Sequence, residues 1–190
     1  ISVIATIYAF TTLEHEIAVE DLPKAYAVWL LTIASLFGLS MTGDAFNLFV
    51  FLEISALSSI TLIALGAGQD RRALLAAYNY LIIGAIGATF YVIGVGYLYA
   101  ATGTLNLLDI IERLNEIGTN QAAVTGLAFM LAGIMVKAGV FPVHIWLPAA
   151  YSFAPSAVSS LLSAIATKVA IYYLARLLFG IFIDTTHLID

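Results

Sequence analysis

GIMVKAGVFPVHIWLPAAYSFAPSAVSSLLSAIATKVAIYYLAR, residues 133–176, decides how the chain is read. It sets Lys137 and Lys168 inside apolar segments that look membrane-buried and places a proline-interrupted stretch carrying His144 between them. An ionisable side chain within a membrane span is costly, so it faces a bundle interior or a water path and marks a functional site by default. Pro142 and Pro148 cannot both continue a regular helix, because each lacks an N–H and clashes with the turn before it. The span that holds Lys137 is therefore expected to break near residues 140–148. Irregular backbone at that depth persists only where protein buries it or it lines a water-filled cavity.

Outward from this stretch, the composition fits a lipid environment. Of 190 residues 62% are hydrophobic and only 10% charged, against roughly 25% charged in soluble domains. Mean hydropathy is +1.03. Apolar blocks of about the 20 residues a span needs fall at 25–42, 45–66, 73–101, 122–141 and 155–180. Residues 1–12 read as the tail of a further helix, without the basic start of a signal peptide and without an initiating Met. Residues 13–24 read as a polar connection and 181–190 as a polar tail containing Asp184, His187 and Asp190. The fold class is an all-α, multi-pass membrane protein.

Several chemistries are excluded at this point. With no cysteine there are no disulfides, thiolate metal sites or iron–sulfur ligands, so any redox step belongs to another subunit. The net charge of −5 argues against nucleic acid as a partner. No nucleophile, metal-ligand spacing or phosphate-binding glycine loop stands out, so neither metal nor cofactor is expected. His15 and His187 read as isolated loop residues.

Local signals order the remaining segments. Pro23 suits a helix start, and Asp44 can cap the helix that follows it. Glu53 then lies about eight residues, roughly 12 Å, into that helix. Arg71 and Arg72 mark a cytoplasmic loop by the positive-inside rule, with Lys24 on the same side and Arg113 and Arg176 opposite. Gly84, Gly87, Gly94 and Gly96 read as close helix packing, and residues 106–117 as an amphipathic interfacial helix. Ser156, Ser160, Ser163 and Thr167 recur at spacings of four, three and four. They present either interhelical hydrogen bonds or a hydrated stripe leading toward Lys168. Trp29, Tyr97, Tyr99, Trp146 and Tyr151 read as interface anchors.

Among the twelve acidic and seven basic residues, only Glu53, Lys137 and Lys168 sit deep in apolar spans. Two charges 4 Å apart at an effective dielectric of 20 interact by about 4 kcal/mol, equivalent to roughly three pKa units. Moving one charge across 100 mV costs about 2.3 kcal/mol. Making and breaking a Glu53–Lys137 pair is thus large enough to drive a proton uphill. A static pair locking two helices is the alternative for the same residues. His144, beside the break, is either a proton relay between the lysines or a packing residue.

The run TGDAFNLFVFLEI at 42–54 resembles the glutamate-bearing helix of the antiporter-like subunits shared by Mrp-type sodium/proton antiporters, respiratory complex I and membrane-bound hydrogenases. Its form is most similar to the Mrp D subunit and hydrogenase branch. YLIIGAIGATF, TGTLNLLDI and the stretch from Lys137 to Arg176 resemble the family's next helix, loop, broken helix and following helix. The resemblance implies that residues 25–180 form the first of two inverted five-helix repeats. It implies Glu53 as the paired glutamate, Lys137 as the broken-helix lysine and Lys168 as the lysine that hands protons onward. Where many relatives read WLPDAH this chain reads WLPAAY, so Ala149 and Tyr151 replace an acid and a histidine. The implied partners are the lipid bilayer, other membrane subunits of a complex, and protons with or without Na+. The implied location is a prokaryotic inner membrane. Two rivals remain open: a structural or assembly module with a static ion pair, and a solute transporter, since broken helices also bind substrates at the midplane.

Overall fold

The structure, a computed structural model, describes residues 1–118 and 121–182. Among the described residues the chain is helical apart from short connections and one isolated backbone bridge. Among the described residues five helices are long and apolar enough to span a membrane: Leu22–Met41, Ala45–Gly68, Arg72–Thr102, Gln121–Ala138 and Ser156–Ile181. This is the multi-pass all-α architecture that the apolar blocks predict.

The first helix, α1 (Ser2–Glu16), runs four residues beyond the expected boundary at residue 12, so His15 lies on its last turn rather than in a loop. Helix α2 (Leu22–Met41) begins with Pro23 in its first turn, where the missing N–H is an orphan anyway. Helix α3 (Ala45–Ala64) starts at Asp44, whose carboxylate accepts the Asn47 N–H at 2.7 Å, the cap expected from the sequence. A 3₁₀ turn extends α3 to Gly68. Helix α4 (Arg72–Thr102) ends on Gly103 in the left-handed region.

Helix α5 (Leu107–Ile117) is amphipathic: Leu107, Ile110 and Leu114 are buried and its acidic residues face out. Its cap residue Asn106 pairs with Asp44, and two backbone bonds, Ala45 N to Leu105 O and Leu107 N to Gly43 O, zip the two loops together. On this same end, Arg176 donates to the Thr42 carbonyl and Arg113 to the Thr102 carbonyl. Glu16, Arg72 and Phe153 gather at the other end, where the Arg72 guanidinium lies over the Phe153 ring.

Helices α4 and α6 (Gln121–Ala138) make the tightest contact. A Cβ at Gly126 would stand 2.9 Å from the Gly94 carbonyl oxygen, and one at Gly87 would stand 2.8 Å from Val136 Cβ. Only glycine lets these backbones approach so closely. Gly96, by contrast, faces open space. Close packing is thus the role of Gly87 and Gly94, and not of Gly96.

The expected break follows α6 and opens at Gly139, just ahead of the stretch that the prolines mark. Gly139 takes φ of 66°. The bonds Val140 N to Met135 O and Gly139 N to Val136 O close the helix end as a Schellman motif. Residues 139–145 are non-helical, with a cis Phe141–Pro142 peptide, and α7 (Trp146–Phe153) resumes the course. Pro148 therefore does not sit in the break. It occupies the first turn of α7, where a missing N–H is tolerated. The break is also less enclosed than expected, since Phe141 and Ile145 are exposed while the freed carbonyls are capped by the chain itself.

After Pro155 the last span runs as α8 (Ser156–Leu161), a π turn (Leu162–Ala166) and α9 (Thr167–Leu177), with a second π turn reaching Phe182. The tail containing Asp184, His187 and Asp190 lies outside the described residues. Glu16 ties α1 to this span, accepting the Ser156 N–H at 2.7 Å and the Ser156 hydroxyl.

Candidate functional site

Helices α3, α4, α6 and α7 surround a narrow cavity lined by Glu53, Tyr80, Gly84, Lys137 and Trp146, among others. Its volume for water centres is about 10 Å³, room for a single water. Glu53 and Lys137, half-buried on α3 and α6, thus come together from positions 84 residues apart.

They are not paired. Among the described residues the ion pairs are Lys24–Asp21 and Arg72–Asp70, both facing solvent. Lys137 Nζ instead donates to the Tyr80 hydroxyl at 2.7 Å and stands 5.1 Å from the centroid of that ring. Tyr80 is 2% exposed. Its ring stacks on the Trp146 indole at 4.3 Å and 11°, and the Trp146 N–H donates to the Val136 carbonyl at 3.1 Å. The stack therefore fixes α4 against both sides of the break.

The glycine seam supplies the register. Stepping by sevens along α4 from Gly94 through Gly87 leads to Tyr80, and on the antiparallel α6 Gly126 and Gly133 are seven apart with Lys137 one turn beyond Gly133. Sequence reasoning misses Tyr80. Its signal is present in that seven-residue step, which continues a packing face into a polar residue.

The other predicted residues lie apart from this cavity. His144 sits in the break, half-buried, with its ring 5.7 Å from Phe141 and Nδ1 buried without a hydrogen-bond partner. Lys168 is exposed, not enclosed as its apolar segment suggested. It borders a surface depression with Ile1, Ser2, Ser40, Val169 and Tyr172, and donates to the Ser163 carbonyl. Neither residue lines the cavity between Glu53 and Lys137.

The hydroxyl stripe divides. Ser160 donates to Ala157 O and Ser163 to Ser160 O within their own helix, Ser156 binds Glu16, and Thr167 is buried. The π turn between Ser160 and Thr167 breaks the α-helical spacing on which a single face depended. Trp29 and Trp146 are buried, 1% and 4% exposed, rather than anchored at an interface. Tyr151 also turns inward, donating to the Leu162 carbonyl at 3.3 Å, whereas Tyr97 and Tyr99 are exposed.

Residues 42–189 match the family described as NADH:quinone oxidoreductase/Mrp antiporter, transmembrane. The N subunit of the NADH-quinone oxidoreductase of Desulforudis audaxviator is 47% identical over 81% of this chain and 30% of its own length. The D subunit of the Na(+)/H(+) antiporter of Bacillus subtilis is 39% identical over 81% of this chain and 31% of its own. In the solved structure of the membrane-bound sulfane sulfur reductase, an archaeal respiratory membrane complex, a chain 36% identical superposes with a TM-score of 0.78 over 85% of this chain and 32% of that one. The chain spans about a third of the length of the curated relatives it matches.

Proposed function

This chain belongs to the NADH:quinone oxidoreductase/Mrp antiporter transmembrane family, and from that premise we propose that it moves protons across a prokaryotic inner membrane as part of an antiporter-like subunit in a multi-subunit complex. Glu53 and Lys137 are the exchanging pair. The observation that carries the reading is their placement on one cavity without an ion pair between them. A lysine held by a neutral hydroxyl is free to change partners, while a lysine locked to a carboxylate keeps its proton. The lack of an ion pair between them supports exchange over a static pair.

His144 and Lys168 enter the proposal as onward stations. The unpartnered Nδ1 of His144 suits a proton acceptor next to the break. Lys168 presents its ammonium on an otherwise apolar flank. Since a charge facing lipid at this depth is expensive, that support favours a protein or water neighbour in the assembled complex. Protons are the cargo, with or without Na+ moving in the opposite direction.

The test is proton uptake by vesicles carrying the intact complex, measured together with complex yield. Lys137→Ala and Glu53→Gln should each reduce uptake to background with the complex still assembled. Wild-type uptake by Lys137→Ala would overturn the reading. Lys168→Ala should also abolish uptake, and normal uptake there would remove Lys168 from the route without touching the pair.

A further inference from the structure

We propose that Tyr151 is a positioning residue for Lys168: from α7 its hydroxyl holds the π turn of the last span, and that turn sets the side from which the lysine projects. The inference rests on the proton-moving role proposed for Lys168.

A regular α-helix would aim this lysine elsewhere. Lys168 stands seven residues beyond Leu161, two turns that fall on the same face to within roughly 20°. Leu161 is fully buried, so an unbroken helix would carry Lys168 toward the bundle interior. The π turn at Leu162–Ala166 closes its bonds over one residue more than an α turn and shifts everything after it by roughly 100°. Ala170, Tyr173 and Leu177 then continue the buried face, and Lys168 comes out on the flank beside Ser40 and Val169.

The π geometry is the rarer one, and side chains hold it at two successive carbonyls. Tyr151 Oη donates to the Leu162 carbonyl at 3.3 Å, and Lys168 Nζ donates to the Ser163 carbonyl. The backbone carbonyl of Tyr151 also accepts the Ser159 hydroxyl at 2.6 Å, so one residue of α7 grips the span just ahead of the turn and at its first residue. Glu16 fixes the start of the same span through Ser156. A change of register is therefore felt after the turn, where Lys168 sits. α7 serves the other lysine as well, because its Trp146 stacks on Tyr80, whose hydroxyl accepts from Lys137. One eight-residue helix thus shapes the surroundings of both lysines.

Tyr151→Phe keeps the ring and deletes the donor. The register should move toward α by about fivefold, the population shift that one hydrogen bond is worth. Two measurements on the intact complex read this. Ser40→Cys and Val169→Cys, at positions lining one depression, should be joined by a short bifunctional thiol reagent, and about fivefold less when Tyr151→Phe is added. Proton uptake by vesicles carrying Tyr151→Phe should fall by a similar factor with an unchanged yield of complex. Removing Ala164, within the turn, from the Tyr151→Phe chain should restore both, since the span then fits an α-helix with Lys168 still on the flank. Unchanged cross-linking and uptake in Tyr151→Phe would overturn the proposal, as would loss of the complex or no recovery on removing Ala164. Lys168→Ala separates the two readings. If it leaves uptake intact while cross-linking responds to Tyr151→Phe, the proton-moving role of Lys168 fails and the positioning stands; if it abolishes uptake while Tyr151→Phe changes nothing, only the Tyr151 role fails.

Discussion

At the scale of single residues, the deep charges were legible and their neutral partner was not. Glu53 and Lys137 stand out because a charge in an apolar run has no inexpensive explanation. Tyr80 does not, because a tyrosine is tolerated both at the lipid interface and in the interior, and only the fold says which. Trp146 is ambiguous in sequence for the same reason. Its indole N–H satisfies the Val136 carbonyl, so Trp146→Phe should keep the stack on Tyr80 and lower stability by about 1 kcal/mol, the net worth of one hydrogen bond. The midpoint of thermal unfolding of the purified complex checks this. Gly139 offers a sharper test, since it combines φ of 66° with a Cβ position 2.6 Å from Leu147 Cδ1. Gly139→Ala should cost at least about 1–2 kcal/mol for the left-handed backbone, with the clash adding to it.

Among the elements, the five spans and the break could be read from hydrophobic length and proline placement, and the break opens one residue ahead of the stretch so marked. Two prolines pointed to residues 140–148, but the helix ends earlier, at Ala138, because Gly139 completes a Schellman closure. Pro148 simply suits the next first turn. The serine stripe failed for a related reason: its spacing assumed 3.6 residues per turn through Leu162–Ala166, where the helix is π. The glycine seam was legible as packing, but not which glycines form it. Gly94→Ala should push α4 from α6 and cost about 1–3 kcal/mol, as overpacking does. Gly96→Ala, which meets open space, should be neutral or stabilise by up to about 1 kcal/mol through helix propensity. Equal losses of assembled complex for both variants would contradict the seam.

For the whole molecule, the described helices place Lys24, Arg71 and Arg72 at one end, and Arg113 and Arg176 at the other. The first group should face the cytoplasm. Because the chain has no cysteine, single cysteines can be introduced as unambiguous reporters. Gln69→Cys and Glu116→Cys, both at exposed positions, should react with a membrane-impermeant maleimide from the cytoplasmic and the opposite face, respectively. Labelling of both from one face would rule out this topology. At the first of these ends the Asp70 carboxyl is held below the usual carboxylate range, chiefly by the Arg72 side-chain hydrogen bond. A depressed pKa contributes above the unfolded value and is lost only as pH falls through the folded one. This end of the bundle should therefore hold its local structure through mildly acidic conditions, and amide exchange near Arg72 should quicken only in strong acid.

The size of the cavity between Glu53 and Lys137 also bears on what must move when the two residues exchange partners. A space of about 10 Å³ has room for one water. A proton needs no such room, since it passes along a hydrogen bond and leaves the oxygen where it was. Lys137→Ala should therefore stop proton movement whether or not Na+ is present outside the vesicles.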